Sequence, residues 1–234
     1  MRTHLGWTTL VLSAALAVAS PASAQQQTVN FMIGGFVPRG ADSRVTGDVL
    51  VEDLTFLVFH VNEFKSVTAG GEWLFPIGRF VEGGASVSVT SHSVPTVYTC
   101  CVDNSGNEIE QELHLRRIPI DLTLRVLPLS ASSPVQVYFG GGLSVMPWRY
   151  SESGDFIDFN NNSTVFHETF VGSGTATGGV ALAGVRVQGR TAAAGFEVKY
   201  HKVTGTFDSN DDEFAGPKID LGGWTYQGTI GLRF

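Results

Sequence analysis

Apolar and polar residues alternate along several short segments of this chain, most regularly at its C-terminal end. In residues 224–234, the even positions carry apolar residues or glycine and the odd positions carry polar residues or glycine. Because successive side chains of a β-strand point to opposite sides, this pattern predicts a strand with one apolar face. Aromatic residues stand near both ends of that face: Trp224 and Tyr226 at one end and Phe234 at the other.

The same alternation predicts about seven further strands, within residues 29–37, 72–75, 81–92, 109–126, 135–145, 180–187 and 192–201. Within the fourth segment, Leu113 and Leu115 alternate out of phase with Ile120 and Leu122, which predicts a β-bulge at Arg116-Arg117. The predicted connections alternate in length along the chain. The long ones are 38–66, 95–108, 147–175 and 203–221, and the short ones are 76–79, 129–134 and 188–190.

The first residues have the parts of a secretory signal peptide. Arg2 precedes an apolar run over residues 10–19, and Ser-Pro-Ala-Ser-Ala follows. Cleavage is expected after Ala24, which leaves residues 25–234 as one domain. The longest later apolar stretch, 49–64, is interrupted by charged residues and is no membrane helix. An exported chain that enters a membrane without such helices is left with a closed barrel, because lipid leaves no backbone polar group unpaired.

The last strand resembles the closing strand of bacterial outer-membrane β-barrels, through Tyr226, Ile230, Leu232 and the terminal Phe234. The resemblance implies an all-β fold, an eight-stranded antiparallel up-and-down transmembrane barrel of the OmpA/OmpW-like type, in the outer membrane of a Gram-negative-type bacterium. It also implies two partners, the outer-membrane lipid and, through the C-terminal strand, the barrel-assembly machinery. A soluble secreted lipocalin-like binding barrel is the alternative, with apolar residues lining the interior instead.

If the apolar faces meet lipid, the polar faces line the lumen and the aromatic residues Trp73, Trp224, Tyr226 and Phe234 mark the membrane interfaces. Acidic and basic residues on the polar faces nearly balance, so we expect a paired charge network. Its predicted members are Glu72, Glu82, Glu112, Arg116, Asp121, Arg125, Arg186, Glu197, Lys199 and Arg233. Side chains fill a barrel of eight strands. We therefore predict a largely closed lumen and a structural or surface-interaction role.

Other features argue against several kinds of chemistry. The net charge of −7 argues against nucleic acid as a partner. The acidic segment 208–213 lacks the glycine and the final glutamate of a calcium loop, so no metal is predicted. His92 and His201 fall on the predicted lumen face, and neither His92-Ser93 nor His201-Lys202 belongs to a hydrolase motif, so no catalytic residue and no cofactor are predicted. The adjacent Cys100 and Cys101 form a vicinal disulfide in one interpretation and remain free thiols in the other.

The first long connection is unusually apolar. Asp48 is a candidate cap for a short helix with Leu50, Leu54, Leu57 and Val61 on one face. This segment could fold over the barrel mouth, lie on the outer leaflet or extend the wall as strands. The second arrangement suits a restricted channel or carrier that passes small hydrophobic molecules into the membrane, as OmpW-like barrels are thought to do. Such molecules are therefore a further candidate partner.

Overall fold

The structure is a computed structural model and describes residues 27–103, 105–158, 164–207 and 213–234. The predicted signal peptide and the acidic segment 208–212 lie outside these residues. The described strands are β1 (Thr28–Pro38), β2 (Ser66–Pro76), β3 (Val81–Val102), β4 (Glu108–Arg117), β5 (Ile120–Val126), β6 (Val135–Asp158), β7 (Thr164–Gln188), β8 (Ala192–Thr206), β9 (Lys218–Asp220) and β10 (Gly223–Arg233). One short α-helix, α1 (Val49–Asp53), lies between β1 and β2. No helix of the described ranges is long and apolar enough to cross a membrane.

The strands form one closed antiparallel ring. From β1 to β4 and from β6 to β8, each strand pairs with the next along the chain, and β10 closes the ring by pairing with both β1 and β8. β4 and β5 both pair with β3 and β6, so they are the two halves of a single barrel strand. Among the named strands, β9 pairs with β8 alone, at the end of β8 beyond its pairs with β10. The predicted eight-stranded antiparallel barrel is therefore confirmed.

The two ends of the barrel differ. At one end, here called the turn end, Thr28 pairs with Arg233 and short connections join β2 to β3, β5 to β6 and β7 to β8. At the other end, the connection 39–65 folds into the mouth of the ring, and we call it the plug. This connection was predicted to be long, and it is the longest segment between consecutive described strands.

The predicted bulge at Arg116-Arg117 is absent. Arg117 pairs with Thr90 of β3, and Ile120 pairs with Val87, so equal numbers of residues separate the two pairs on both strands. The alternation changes phase for another reason. Towards the plug end, apolar residues such as Leu113 point inward and are buried, whereas Leu122, nearer the turn end, points outward and is 64% exposed. The apolar face therefore moves from outside to inside along one continuous strand.

This change of face also corrects two of the predicted long connections, 95–108 and 147–175. β3 continues to Val102, and β6 and β7 are 24 and 25 residues long. A strand needs only about 9–11 residues to cross a bilayer. The segments predicted as loops are thus mostly a raised wall, in which the apolar residues point into the barrel. An outward apolar face, the pattern that predicts lipid-facing strands, therefore does not continue along this wall.

The plug begins its helix where the sequence predicts. Asp48 caps α1 by accepting a hydrogen bond from the backbone N–H of Leu50, at 3.0 Å. The helix ends at Asp53, whereas the predicted apolar face would require a helix that continues to Val61. Beyond it the chain is extended, because residues 56–58 pair with the edge of β3: Val58 N–H donates to Val97 and Thr99 N–H donates to Phe56. Of the three arrangements considered, folding into the mouth is the observed one.

Candidate functional site

The outer surface of the barrel carries a continuous apolar belt around its turn-end half. Its members all point away from the lumen and are exposed, and they include Val29, Phe31, Ile33, Val87, Val89, Ile120, Leu124, Val137, Phe139, Leu143, Val145, Val187, Phe196, Ile230 and Leu232. Trp224 and Tyr226 lie at the plug-end edge, and Trp73 and Phe234 lie near the turn end. So large an exposed apolar surface on a closed barrel is that of a membrane-spanning protein.

Inside the belt, Arg125 lies at the centre of a buried charge network. Its guanidinium Nη2 contacts the carboxylates of Glu72 and Glu197, the latter at 2.8 Å, and Nη1 lies 3.9 Å from Glu82. Arg186 binds Glu82 in a bidentate manner, with Nη1 and Nη2 donating at 3.2 and 2.8 Å. All five side chains are buried. Because these residues come from five different strands, the network ties the barrel together across its lumen.

A second group in the same network surrounds Asp121. Lys199 donates to Asp121 Oδ2 at 3.2 Å and to the hydroxyl of Ser86 at 2.9 Å. His201 Nε2 lies 3.1 Å from Asp121 Oδ1, which also accepts a hydrogen bond from Ser144 at 2.7 Å. Lys199 Nζ lies 3.6 Å from Glu197, which joins this group to the Arg125 group. Almost every carboxylate oxygen here has a positively charged or polar partner, as buried charges require.

The structure brings together seven of the ten predicted lumen residues: Glu72, Glu82, Asp121, Arg125, Arg186, Glu197 and Lys199. Glu112 and Arg116 are wrongly predicted, since both are exposed on the outside of β4. They lie in the raised wall, where the polar face points outward. Arg233 lies at the turn-end rim, half-exposed, and donates to the backbone carbonyl of Gly189 rather than joining the network.

Several neutral members of the network were missed. Asn30 donates to Glu72 at 3.0 Å, Gln227 donates to Glu197 at 3.0 Å, and Gln136 accepts from Arg186 Nε at 2.8 Å. Each lies on the polar face of a strand that alternation predicts. Their positions on these polar faces could have identified them as lumen residues, although an uncharged amide does not by itself suggest a member of an ion-pair network. The lipocalin-like alternative is contradicted within the belt, because the charges point inward and the apolar side chains outward.

The interior of the plug end is apolar and tightly filled. Val49, Leu50 and Phe64 of the plug are almost fully buried among inward side chains of the raised wall. These wall residues include Val94, Leu113, Met146, Trp148, Tyr150, Val203 and Phe207.

Polar contacts fix the plug to β9. Arg39 forms an ion pair with Asp220 of β9 at 2.8 Å, and Arg44, which pairs with Asp48 within the plug at 3.0 Å, donates a hydrogen bond to the backbone carbonyl of Asp220. The cap residue Asp48 also accepts a hydrogen bond from the backbone N–H of Asp220. The plug is therefore held by both apolar burial and charge.

Two carboxyl groups in the plug-end interior, those of Asp53 and Glu152, lack a charged partner among the described residues. The hydroxyl of Tyr150 donates to Asp53 Oδ2 at 3.0 Å, and Glu152 lies two residues further along β6. Both carboxyl groups are above the belt and buried, and burial raises the pKa of Asp53 to about 9, with the charge of Glu152 adding to the effect. Burial likewise raises the pKa of Glu152 to about 7. Asp53 therefore keeps its proton at neutral pH.

The two adjacent cysteines are bonded to each other. Cys100 and Cys101 form a disulfide within β3, in the raised wall rather than in a loop.

Two serines contact one histidine on the outer surface. Ser93 Oγ lies 2.9 Å from His114 Nδ1 and Ser91 Oγ lies 3.2 Å from His114 Nε2. A serine nucleophile needs a histidine whose second nitrogen is held by an acid, and here a second serine occupies that position. This arrangement therefore does not suggest catalysis.

No family model and no curated protein matches the chain. Among solved structures, it is similar to the outer membrane protein OprG from Pseudomonas aeruginosa, with a TM-score of 0.52 and 12% identity over 90% of this chain and 96% of that chain. It is also similar to Ail, the attachment invasion locus protein of Yersinia pestis, with a TM-score of 0.47 and 8% identity over 90% of this chain and 99% of that chain. OprG is an outer membrane protein, which agrees with the predicted localisation. The chain thus has the fold of the small eight-stranded outer-membrane β-barrels, the OmpA/OmpW-like type.

Proposed function

We propose that this protein is an integral outer-membrane barrel with a largely closed, charge-paired lumen and a structural or surface-interaction role. The observation that carries this proposal is the network centred on Arg125, which joins strands on different sides of the ring inside the belt. In barrels of this type, the short turns face the periplasm and the longer connections face outward. The plug is then on the outer side.

A closed lumen follows from the size of the barrel and the cost of separating buried ion pairs. An eight-stranded barrel is only wide enough for its own side chains. An ion that crosses the belt has to separate Arg125 from Glu72 and Glu197, or Lys199 from Asp121, and removing one partner of a buried pair costs about 3–5 kcal/mol. Leu127, Tyr138 and Leu182 form a small apolar cluster beside the network, with the guanidinium groups of Arg125 and Arg186 over the Tyr138 ring. We assign the surface-interaction role to the raised wall, because its outer face is polar.

The test is ion conductance in planar bilayers, with insertion verified by the heat-dependent mobility shift on a detergent gel. We expect no steady conductance from the full chain. A variant that lacks residues 49–64 should also remain non-conducting, because the network lies in the belt and not in the plug. A steady open state in the full-length protein contradicts the closed lumen. Conductance only in the deletion variant would show that the plug, and not the network, blocks the passage of ions.

A restricted carrier for small hydrophobic molecules is the second candidate, and the apolar interior of the plug end favours it. Leu50, Phe64 and Trp148 form part of an interior that could accept an apolar solute if the plug moved. Deletion of residues 49–64 should then abolish uptake of a small hydrophobic probe by cells while the barrel remains folded. Unchanged uptake counts against this candidate. The observed position of the plug inside the mouth, and not on the leaflet, already removes the arrangement that best suited lateral transfer.

A further inference from the structure

Two arginines face each other on the outer surface of the raised wall. Arg116 of β4 and Arg149 of β6 are direct cross-strand partners, and both are exposed. Within the described ranges, neither guanidinium has a hydrogen-bond acceptor or a carboxylate within salt-bridge distance. The nearest acidic residue on the outer face of β4 is Glu112, four residues away, or roughly 13 Å along the strand.

This pair is unfavourable without an anion. Like charges directly opposite each other on neighbouring strands repel and destabilise the pairing. The guanidinium is a rigid fork of donors that matches a phosphate in a bidentate manner, and such charge-assisted hydrogen bonds are about twice as strong as neutral ones. Two forks side by side therefore favour a doubly charged oxyanion between them.

The position of the arginine pair identifies the source of this anion. The next outward residues towards the belt are Ile118 and Pro147, and the belt itself begins with Ile120 and Val145. Together with Arg116 and Arg149, Ile118 and Pro147 line a hollow of about 220 Å³, to which Trp148 also contributes. The site thus has apolar walls on its membrane side and two cations at the level of the lipid headgroups.

We propose that Arg116 and Arg149 together bind the phosphate group of an outer-leaflet lipid. The apolar hollow would receive the first part of the attached lipid, and the two guanidinium groups would neutralise the phosphate. This inference requires the barrel to stand in the membrane with its plug outward. It does not depend on whether the lumen is closed, so conductance and lipid binding test separate statements.

Lipid binding can be measured by native mass spectrometry of the refolded full chain in detergent micelles. The probes are diphosphorylated lipid A, the same lipid with its phosphates removed, and sodium phosphate alone. We expect the phosphorylated lipid to bind, and Arg116→Gln or Arg149→Gln each to weaken binding at least tenfold, since each removes a charge-assisted, bidentate contact with the phosphate. Arg116→Lys should weaken it less, because it keeps the charge and loses the fork.

Arg79→Gln is the matched control. Arg79 is an exposed arginine at the turn end, so this variant loses the same charge on the other side of the membrane, and its binding should be unchanged. Each variant should first show the heat-dependent mobility shift of a folded barrel. Equal binding of the two lipids, or an equal loss in Arg79→Gln, would overturn the proposal. Binding of free phosphate as tight as that of the lipid would also overturn it, by showing a simple anion site.

Discussion

Replacing Arg125 with methionine is expected to lower the free energy of unfolding of the barrel by about 3–5 kcal/mol, the usual effect of removing one partner of a buried ion pair. Arg125 is 1% exposed and contacts Glu72 and Glu197. Without the guanidinium, both carboxylates lose their strongest compensating charge in a region of low dielectric constant. Denaturant unfolding of the refolded protein in lipid vesicles measures the difference.

Two further variants separate charge from packing. Lys202→Met removes a cation from the exposed outer face of β8 and should change the free energy of unfolding by less than about 0.5 kcal/mol. Combining Arg125→Met with Glu197→Gln should recover part of the lost stability, because one of the unpaired carboxylates becomes neutral. If Arg125→Met is as stable as Lys202→Met, the network does not hold the barrel together. If the double variant is no better than the single one, the loss comes from packing.

Raising the pH is expected to loosen the plug, and Asp53→Asn should largely abolish this response. Burial raises the pKa of Asp53 from 3.8 to about 9 in the folded protein. A raised pKa stabilises the folded state fully below the ordinary value, and this contribution is lost as the pH rises towards the folded value. The plug should therefore be most stable near pH 4 and progressively less stable up to about pH 9. Ionised Asp53 would be buried beside Glu152, and Tyr150 is the only side-chain donor to it in the part of the chain that the structure describes.

Limited proteolysis of the plug at several pH values measures this effect. The ratio of cleavage rates between the wild-type protein and Asp53→Asn removes the pH dependence of the protease itself. We expect the wild-type protein to be cleaved increasingly faster than the variant as the pH rises. Glu152→Gln should reduce the response around neutral pH, because burial raises the pKa of Glu152 only to about 7. A ratio that stays constant from pH 4 to pH 9 would rule out Asp53 as the responsible group.

Alternation predicted the barrel and the lipid-facing side of its belt because the membrane imposes one simple pattern, apolar outside and polar inside. It failed where that pattern inverts. Leu113 and Ile120 belong to one continuous barrel strand, yet one is buried in the lumen and the other is 43% exposed on the belt. From the sequence, this inversion looked like an inserted residue, and Glu112 and Arg116 were consequently assigned to the wrong face.

The plug shows a second limit of prediction from sequence, the difference between local and long-range contacts. Its N-cap is a local feature, and Asp48 was recognised from its neighbours along the chain. The end of its helix is not local, because Thr99 and Val97 of β3 hold residues 56–58 in extended form across a long sequence separation. Seven of the predicted charges do meet inside the barrel. Which carboxylate meets which cation depends on strand tilt and register, and the sequence pattern does not specify these.

The length of β6 and β7 determines where other molecules can touch this protein. At about 3.3 Å per residue and a tilt of about 40°, a strand of 24 residues rises roughly 60 Å along the barrel axis. The hydrocarbon band of such a barrel is only about 25 Å tall. In the orientation proposed above, Asp158 and Thr164, which pair at the far ends of β6 and β7, are therefore carried well beyond the headgroups on the outer side of the membrane. A large partner can reach this edge without approaching the bilayer, while small amphiphiles meet the arginine pair below it.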